Sequence, residues 1–572
     1  MVNTLKETCR DLASQLSARG VRFAILSPGT RNAPLIVALE RHADITTKVV
    51  IDERSAAFMA LGYAAISGEP VAIVCTSGTA LLNYAPAVAE AYYRKIPLIV
   101  ISADRPMEWI DQDDSQTIRQ FEALGNFVKA SYNIPDSAEK DMRWYANRQI
   151  NDAMTTALSG RKAPVHINIQ FNEPLTETGE VEEEQFRNVE LIEPTRSLDT
   201  SFARQLGLRL ASPRKVMIVA GFLPPSPQLN KALRRLVALP NFIVFTETIS
   251  NLHGNEFISR IDTTLSGITS DEREELAPDV VITLGGALIS RFVKTYLRKI
   301  KPQEHWHIGL SHTTVDCFQC LTTRIEMEPE VFFPQLASAM QPHKSPCRYA
   351  DRWRIARDKA ISTHQAYIAH SPWSDLKAFS VIMPKIPRGT NLQLSNGTTV
   401  RYAQLMGDCG FHRCDCNRGV SGIDGSTSTA IGASLAYPTG LTLLITGDMS
   451  AQYDLGALAT EGIPSNFKMI VMRNGGGGIF RFISSTSGLP EVERNFAAKD
   501  SVRLPLEALA QGFGFSYYEA AGEEELRNVF PDFISKTEKP AILTIDTPPD
   551  IDAEVLRNYF KRSKIFKNKT YE

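Results

Sequence analysis

Two polar loops, each following a short apolar run, carry the residues best suited to bind a metal ion. A buried-strand pattern over 443–446 leads into Asp448, and a second over 468–472 leads into Asn474 and the glycines 475–478. In a parallel sheet the carboxyl ends of such strands face a common crevice. We therefore expect Asp448 and Asn474 to lie close together, although they are 26 positions apart. A carboxylate, an amide carbonyl and a glycine carbonyl are hard oxygen ligands that suit Mg²⁺.

A magnesium site of this kind implies a diphosphate ligand, because Mg²⁺ usually completes its coordination with phosphate oxygens and water. The segment 451–461 is expected to be a helix, and the free N–H groups at a helix start favour an anion. The alternative interpretation is an ordinary strand–helix–strand unit with a polar turn and a flexible glycine loop.

The elements that position these loops form three successive α/β patterns, typical of doubly wound parallel sheets. The predicted strands are 21–26, 48–51, 71–75, 98–102 and 165–169 in the first pattern, 215–220, 242–246, 280–284 and 304–308 in the second, and 392–394, 443–446, 469–472 and 541–545 in the third. An acidic stretch without periodicity, 173–193, and the segment 341–350 are expected to be linkers. The predicted domains are therefore 1–185, 195–342 and 350–572.

Composition excludes several classes of protein. The 572 residues are 43% hydrophobic and 22% charged with a net charge of −2, as in an ordinary globular protein without a nucleic-acid or membrane partner. No apolar run reaches the roughly 18 residues that span a bilayer. The first residues lack the apolar core of a signal peptide, so the expected location is cytoplasmic.

Two closely spaced cysteine pairs, Cys317 with Cys320 and Cys414 with Cys416, could contribute half of a zinc site. The second pair has a spacing that is poor for structural zinc, and the sequence shows no further ligand pair. A zinc site is therefore not expected.

Further motifs follow one another in order along the chain. They are Ser27-Pro28-Gly29-Thr30-Arg31, Asp52-Glu53-Arg54-Ser55-Ala56, Thr76-Ser77-Gly78-Thr79-Ala80, Ala103-Asp104-Arg105-Pro106, Gln116-Thr117-Ile118-Arg119-Gln120, Asn417-Arg418-Gly419, Ser421-Gly422-Ile423-Asp424-Gly425, Gly447-Asp448 and Gly478-Ile479-Phe480. With Asn474, this set resembles the thiamine-diphosphate enzymes. Over essentially the full chain it resembles, within that superfamily, the 2-succinyl-5-enolpyruvyl-6-hydroxy-3-cyclohexene-1-carboxylate (SEPHCHC) synthase family of menaquinone biosynthesis.

The resemblance implies a fold, an activity and an assembly. The three α/β domains would be a pyrimidine-binding, a central and a diphosphate-binding domain. The activity would be decarboxylation of 2-oxoglutarate on thiamine diphosphate, followed by 1,4-addition of the resulting succinic semialdehyde carbanion equivalent to isochorismate. The chain would form a homodimer or homotetramer in which Glu53 of one subunit meets the diphosphate site of another.

The resemblance also assigns roles to residues. Glu53 would be the catalytic carboxyl, hydrogen-bonded to N1′ of the aminopyrimidine, a role that needs a carboxyl able to hold a proton in a dry site. The alternative is that Glu53 pairs with Arg54 at a helix start. Mg²⁺ (or Mn²⁺) would be held by Asp448, Asn474 and the Gly476 carbonyl. The other residues implied in cofactor binding are Asn396, Ser421, Gly422, Ile423, Met449, Ser450, Ile479 and Phe480.

Both substrates carry two carboxylates, so the implied site should be rich in arginine, whose planar fork matches a carboxylate. The residues implied in substrate binding are Arg31, Arg105, Gln116, Arg291, Arg401, Arg418 and Phe480. Three positions depart from the family pattern: Arg473 replaces an asparagine, Gly397 replaces a hydroxyl residue, and Ser290 replaces one of two basic residues, for which Lys294 is a substitute.

Two alternatives stay open at this point. One is another thiamine-diphosphate carboligase or decarboxylase, similar to acetolactate synthase, whose substrates carry fewer carboxylates. The other is a non-catalytic thiamine-diphosphate-binding protein, although the joint presence of Glu53, Asp448 and Asn474 argues against a decayed site.

Overall fold

The computed structural model describes residues 2–137, 139–181, 186–211, 213–311, 313–340, 347–483, 485–536 and 538–565, except the side chains of 562–565. Strands and helices alternate through most of this range. The strands are β1 (Val2–Thr4), β2 (Phe23–Leu26), β3 (Thr46–Val49), β4 (Val71–Cys75), β5 (Leu98–Asp104), β6 (Ser131–Pro135), β7 (Val165–Gln170), β8 (Thr178–Glu180), β9 (Val216–Ala220), β10 (Phe242–Thr246), β11 (Val280–Leu284), β12 (Glu304–Ile308), β13 (Thr323–Ile325), β14 (Asn391–Leu394), β15 (Arg413–Cys416), β16 (Thr442–Gly447), β17 (Phe467–Arg473), β18 (Ser516–Ala520) and β19 (Ala541–Asp546).

The helices pack on the faces of the sheets that these strands form. They are α1 (Glu7–Ala18), α2 (Ala33–Glu40), α3 (Glu53–Ser67), α4 (Ala80–Asn83), α5 (Ala85–Arg94), α6 (Lys140–Leu158), α7 (Thr200–Arg209), α8 (Pro227–Val237), α9 (Ile261–Gly267), α10 (Ser270–Glu275), α11 (Arg291–Ile300), α12 (Pro329–Ala339), α13 (Tyr349–His370), α14 (Asp375–Ile382), α15 (Thr399–Met406), α16 (Ser426–Ala436), α17 (Asp448–Tyr453), α18 (Leu506–Gly512), α19 (Glu523–Ser535) and α20 (Pro549–Ile565).

Three parallel sheets confirm the predicted α/β class. Their strand orders are β3-β2-β4-β5-β7-β6, β10-β9-β11-β12-β13 and β15-β14-β16-β17-β19-β18. Central strands such as β4, β5 and β9 are buried at every position. Such uninterrupted apolar runs are expected where helices cover both faces of a parallel sheet.

All three sheets have a point where the chain reverses its direction of strand addition. The reversal lies between β2 and β4 in the first sheet, between β9 and β11 in the second and between β14 and β16 in the third. Ligands bind at such switch points in open α/β sheets, beyond the carboxyl ends of the strands. The loops after these strands are therefore the places to look for a site.

The chain divides into two compact units. The first unit comprises Met1–Pro194, Asn417–Thr442 and Tyr453–Phe467, and the second comprises Thr195–Cys416, Leu443–Gln452 and Lys468–Glu572. The first unit contains the first sheet together with α16, and the second unit contains the other two sheets. The boundaries predicted at 185–195 and 342–350 stay predictions, and residues 341–346 of the second linker lie outside the described residues.

Several local predictions were wrong. The predicted helix over 451–461 is instead α17, which ends at Tyr453, followed by a 3₁₀ turn over Leu455–Ala459. It ends there because the buried Asp454 side chain turns inward to accept hydrogen bonds from the Ser428 N–H and hydroxyl. The first predicted linker contains β8, which pairs with β1.

The outer strands were harder to predict than the central ones. The sequence did not indicate β6, β13, β15 or β18, which are short edge strands that all contain polar or charged residues. Within the described residues, no helix has the length and apolar character needed to cross a membrane.

Candidate active site

In the second unit, the loops after β16 and β17 meet through the Asp448 carboxylate. Its Oδ2 accepts a hydrogen bond from the Gly476 N–H at 2.9 Å, and its Oδ1 accepts one from the Met449 N–H at 2.7 Å. Asp448 is buried. The first of these bonds ties the two loops together at the same end of adjacent strands, as the strand pattern predicts.

Asn474 presents an unsatisfied oxygen at this point. Its Nδ2 donates to Asp375 Oδ2 at 2.7 Å, which fixes the orientation of the amide. Its Oδ1 is buried and has no hydrogen-bond partner among the described residues. A buried amide oxygen without a hydrogen-bond donor destabilises the fold unless a water or a cation satisfies it. This oxygen, on the loop that Asp448 contacts through Gly476, is therefore in the state expected of a metal ligand.

The glycines after Asn474 are required by the backbone. Gly476 has a φ of +98°, and a Cβ there would lie 2.0 Å from the Ala497 carbonyl oxygen. A side chain therefore cannot be accommodated without moving the backbone, and the loop can pass close to a ligand. The Asp448 carboxylate, the free Asn474 oxygen and the Gly476 backbone together fit the donor set that Mg²⁺ prefers.

Arg481, which was not predicted as a site residue, holds this loop in place. Its guanidinium donates to the Asn474 carbonyl at 3.0 Å and to the Gly475 carbonyl at 2.6 Å, and it also pairs with Glu493. Arg473, the departure from the family pattern, instead forms a forked pair with Asp546 on β19. Its charge is thus neutralised by a partner on the neighbouring strand.

Buried carboxyls dominate the electrostatics around this loop. Burial raises the pKa of Asp448 to about 6, and the hydrogen bonds from Gly476 and Met449 oppose the rise. Burial also raises the pKa of Asp375 and raises that of Asp552 to about 8. The Thr547 hydroxyl lies 2.7 Å from Asp375 and 2.9 Å from Asp552. That hydroxyl has one proton and can donate to only one of the two carboxyls. Both contacts are hydrogen bonds when the other carboxyl is protonated and donates to the hydroxyl oxygen.

The other predicted cofactor residues of the second unit lie on neighbouring loops. Ser450 is buried, and Met449 is half-buried in the first turn of α17. Asn396 follows β14, where its Oδ1 accepts from the Cys416 thiol at 3.4 Å, and the adjacent Ser395 hydroxyl accepts from the Gly447 N–H at 3.3 Å. Ile479 and Phe480 are half-buried in the 3₁₀ turn Gly478–Arg481.

In the first unit, Glu53 is the first residue of α3. Asp52 caps this helix by accepting from the Arg54 and Ser55 N–H groups. The Asn83 side chain donates to Glu53 Oε2 at 3.2 Å. Arg54 pairs with Asp52 and Asp454, at 3.5 and 3.6 Å. Arg54 thus pairs with two aspartates, and the alternative Glu53–Arg54 pair gains no support.

The loop 417–425, which carries three predicted cofactor residues, is fixed by a buried glutamate that sequence reasoning missed. Glu90 of α5 accepts from the Gly419 and Val420 N–H groups, both at 2.7 Å. Ser421 has a left-handed backbone with φ +65°. Gly422 and Ile423 follow it, both half-buried. At the far end of the loop, Arg54 donates to the Asp424 carbonyl.

A tight helix pair underlies this loop. A Cβ on Gly62 of α3 would lie 1.9 Å from the Thr429 carbonyl oxygen of α16, and one on Gly432 would lie 1.9 Å from that of Met59. The two helices therefore touch backbone to backbone. Burial raises the pKa of Asp454, at the end of this pair, to about 7.

Arg31 and Arg105 lie near each other, close to the switch point of the first sheet. Arg31 is buried and pairs with Glu173 at 3.1 Å. Burial and the Arg105 charge lower the pKa of Arg31, while Glu173 opposes the decrease. Arg105 pairs with Asp114 at 3.1 Å. Gln116 is exposed with φ +59°, and its side chain lies against Gly78.

The remaining three predicted arginines are in separate places. Arg418 is buried near Glu90. Burial raises the pKa of Glu90, and the positive charges of Arg94 and Arg418 oppose this rise. Arg401 is half-buried. Burial raises the pKa of Asp262 to about 6, and the positive charges of Arg401 and Lys294 oppose this rise. Arg291 is exposed in the first turn of α11.

The polar loops and their sheets define the class of the protein. Residues 7–123 match the family model of the N-terminal TPP-binding domain of thiamine pyrophosphate enzymes, and residues 397–545 match that of the C-terminal TPP-binding domain. Thiamine pyrophosphate is another name for thiamine diphosphate. The chain is thus a thiamine-diphosphate-dependent enzyme.

Curated relatives narrow the class to one family. The chain is 42% identical to the SEPHCHC synthase of Porphyromonas gingivalis, over 95% of this chain and 94% of the relative. It is 39% identical to those of Christiangramia forsetii, over 97% and 98% of the two chains, and Flavobacterium psychrophilum, over 95% and 96%. The chain belongs to the SEPHCHC synthase family.

Proposed function

We propose that this chain catalyses the SEPHCHC synthase reaction of menaquinone biosynthesis: decarboxylation of 2-oxoglutarate and 1,4-addition of the four-carbon unit to isochorismate. The observation that carries this proposal is its near-full-length identity with synthases of that name. The residues proposed to bind thiamine diphosphate, the metal and the substrates are those that the family resemblance implies.

The metal half of the site consists of Asp448, the Asn474 amide oxygen and the Gly476 carbonyl, which would hold Mg²⁺ (or Mn²⁺). The unpartnered Asn474 Oδ1 supports this assignment, since a cation would satisfy it. Asp375 and Arg481 keep the amide and the loop in the orientation that binding requires. The neighbouring residues proposed to line the cofactor are Asn396, Met449, Ser450, Ile479 and Phe480.

The carboxyl half of the site is Glu53, with Ser421, Gly422 and Ile423 on the loop beside α3. When bound, thiamine diphosphate supplies the electron sink that stabilises the carbanion left by decarboxylation. Glu53 would hold a proton at the oxygen that Asn83 does not contact and share it with N1′ of the aminopyrimidine. Glu53 thereby controls the protonation of the group that starts the reaction.

Arginines would bind the four carboxylates of the two substrates. Arg31 and Arg105 form one cationic pair near the first switch point, and Arg401 with Lys294 supplies a second cationic point beside Asp262. Arg291, at the start of α11, is a separate member of the proposed set. Arg418, Gln116 and Phe480 complete the proposed set. In the described structure Arg31 and Arg105 have acidic partners, Glu173 and Asp114. A substrate carboxylate would displace Glu173 or Asp114, or would share the arginine with that residue.

We also propose that the chain self-associates, as a dimer or a tetramer, so that Glu53 of one copy serves the metal half of another. The domains 1–185, 195–342 and 350–572 would supply the pyrimidine, central and diphosphate parts. A cytoplasmic location is part of the same proposal.

The substrate assignment is tested by assaying the Mg²⁺- and thiamine-diphosphate-loaded protein with 2-oxoglutarate plus isochorismate, and separately with pyruvate alone. We expect carbon dioxide release and consumption of isochorismate in the first mixture, and little turnover in the second. Activity with pyruvate only would favour the acetolactate-synthase-like alternative. Cofactor binding without turnover in either mixture would favour a non-catalytic protein.

A further inference from the structure

The connection between β12 and β13 is unusual for two adjacent parallel strands. The strands pair in parallel register, with Trp306 opposite Thr323, yet the chain between them, 309–322, forms no helix in its described part. Parallel neighbours are usually joined through a crossover helix, and long irregular connections in compact domains are often functional. This loop is therefore a place to look for a further function.

Three potential metal ligands converge where the loop returns to β12. A nitrogen of His305, a carboxylate oxygen of Asp316 and the Cys320 sulfur all lie within 4.8 Å of one another. Among the described residues this is the only such group of three His, Cys, Asp or Glu side chains. It lies in the second unit, on residues to which the proposed reaction assigns no role.

His305 supplies the independent sign of a ligand. The side chain is 1% exposed, and its Nδ1 has no hydrogen-bond partner in the described part of the chain. The nearest acidic oxygen, Asp316 Oδ1, is 3.9 Å away, too far for a hydrogen bond. Burial lowers the pKa of His305 to about 4, so the ring is neutral at physiological pH and Nδ1 can offer a lone pair.

The other ring nitrogen is already held. Nε2 of His305 lies 2.9 Å from Thr283 Oγ1 on the adjacent strand β11. When Nε2–H donates to this hydroxyl, the lone pair is on Nδ1, and metal-binding histidines are commonly oriented through the second nitrogen in this way. The Phe318 ring, with its centroid 5.3 Å from that of His305, packs against the imidazole and is itself fully buried.

The loop also shapes the two remaining ligands. Asp316 Oδ1 accepts from the N–H groups of Cys320 and Leu321, at 3.0 and 3.2 Å, and these bonds hold the carboxylate beside Cys320. Gln319 has φ +63°, and this left-handed turn brings Cys320 back towards Asp316. Cys317 lies close enough for its thiol to affect the pKa of Cys320.

We propose that His305 Nδ1, Asp316 and Cys320 bind a Zn²⁺ ion that fixes the β12–β13 connection to the sheet. Nitrogen, carboxylate and thiolate are the ligands that zinc combines in proteins, and the mixed set is too soft for Mg²⁺. On binding, the Cys320 thiol releases its proton to solvent, and the thiolate and carboxylate charges neutralise the dication. Water takes the fourth position. The sequence alone did not favour this site, since His305 precedes the cysteine pair by a whole loop.

The test is a cobalt titration of the full-length protein, stripped of metal with a chelator and kept under reductant. A cobalt–thiolate site gives ligand-to-metal charge-transfer absorption, whereas the oxygen ligands at Asp448 and Asn474 do not. We expect one Co²⁺ per chain to give this absorption and Zn²⁺ to displace it. Cys320→Ser should abolish the absorption, and Thr283→Val should weaken binding by about 10–100-fold.

Cys409→Ser provides the matched control, because Cys409 is a half-buried cysteine of the same unit outside the cluster. It should bind cobalt like the unmodified chain. A thermal unfolding midpoint measured with and without Zn²⁺ should rise for the unmodified chain and for Cys409→Ser but not for Cys320→Ser. The proposal is overturned if the reduced chain shows no cobalt–thiolate absorption, or if Cys320→Ser retains it. None of these readouts uses turnover or thiamine diphosphate, so the outcome is independent of the proposed function.

Discussion

The metal half and the carboxyl half of the proposed site are built very differently. Asp448 and Asn474 are 2% and 3% exposed; they accept hydrogen bonds from Gly476, Met449 and Arg481, and the Asn474 amide donates one to Asp375. Glu53 is only half-buried, at the start of α3, with a 3.2 Å hydrogen bond from Asn83. The chain therefore pre-organises the metal half by itself, whereas Glu53 still needs a cover that excludes water.

This difference agrees with the proposed division of labour. Binding of a metal diphosphate benefits from rigid oxygens placed in advance. Proton transfer at N1′ requires a carboxyl in a dry environment, and a second copy of the chain could supply that environment. Changes in the metal half should thus act on binding, and changes in the carboxyl half should act on turnover.

Replacement of the catalytic carboxyl should have the largest effect. Glu53→Gln keeps the shape of the side chain but cannot share a proton with N1′, so we expect kcat to fall by about 10²–10⁴-fold. The affinity for thiamine diphosphate, measured by calorimetry, should stay close to that of the unmodified chain. The exposed Glu69→Gln, just beyond the end of α3, is the control. Unchanged turnover in Glu53→Gln would refute its role.

A change in the metal half should, in contrast to Glu53→Gln, weaken the binding of the cofactor. Asp448→Asn removes one negative charge from the oxygen cradle, so Mg²⁺-dependent binding of thiamine diphosphate should weaken on the order of 100-fold. A chelator should have the same effect on the unmodified chain. The exposed Asp500→Asn should bind normally. If Asp448→Asn bound the cofactor with full affinity, the proposed metal half would be in the wrong place.

Replacement of an arginine proposed to bind substrate should affect neither cofactor binding nor proton transfer. Arg105→Lys keeps the charge but loses the planar fork, so kcat/KM for one of the dicarboxylate substrates should fall by about 10–100-fold. Steady-state kinetics with each substrate varied in turn would identify which one Arg105 binds. Arg119→Lys, at an exposed neighbouring arginine, should behave like the unmodified chain, and equal kinetics in both variants would remove Arg105 from the site.

The smallest effect concerns the support beneath the Glu53 helix. Burial raises the pKa of Asp454 to about 7 in the folded chain, above its ordinary value near 4. The folded state therefore holds this proton between pH 4 and 7 while the unfolded state releases it, so the contribution of Asp454 to stability falls as pH rises through that window. The slope from one such group is at most about 1.4 kcal/mol per pH unit.

Asp454→Asn should remove this component. The unfolding midpoint of the variant, relative to the unmodified chain, should therefore increase from pH 4 to pH 7, whatever the offset caused by its altered hydrogen bonds to Ser428. The exposed Asp152→Asn should show no such trend. Parallel pH profiles for the unmodified chain and Asp454→Asn would show that Asp454 ionises normally in the fold.

Local patterns in the sequence were sufficient for the strand–loop units but not for their supports. The apolar runs before Asp448 and Asn474 identify two parallel strands, and the period of the central strands predicts the α/β class correctly. Asp375 contacts Asn474 from 99 positions away, and Arg481 acts on the backbone carbonyls of its own loop. Neither relation leaves a pattern of spacing or composition, so neither could be read from one sequence.

The wrong predictions have a similar cause. The helix after Met449 ends early because Asp454 bonds to Ser428, which is distant in sequence. The proposed zinc ligands leave no sequence pattern either, because the β12–β13 loop returns to a histidine in the preceding strand. In each case a contact between separate segments decides the local structure, and sequence periodicity contains no information about it.

The measurement that tests the central claim most directly is complementation between two inactive variants. If Glu53 of one copy serves the metal half of another, a mixed dimer of Glu53→Gln and Asp448→Asn has one fully intact site and one doubly altered site. After the two variants are unfolded and refolded together, random pairing should restore about one quarter of the specific activity of the unmodified protein. If both halves of each site came from the same chain, every site would carry one lesion and the mixture would stay inactive.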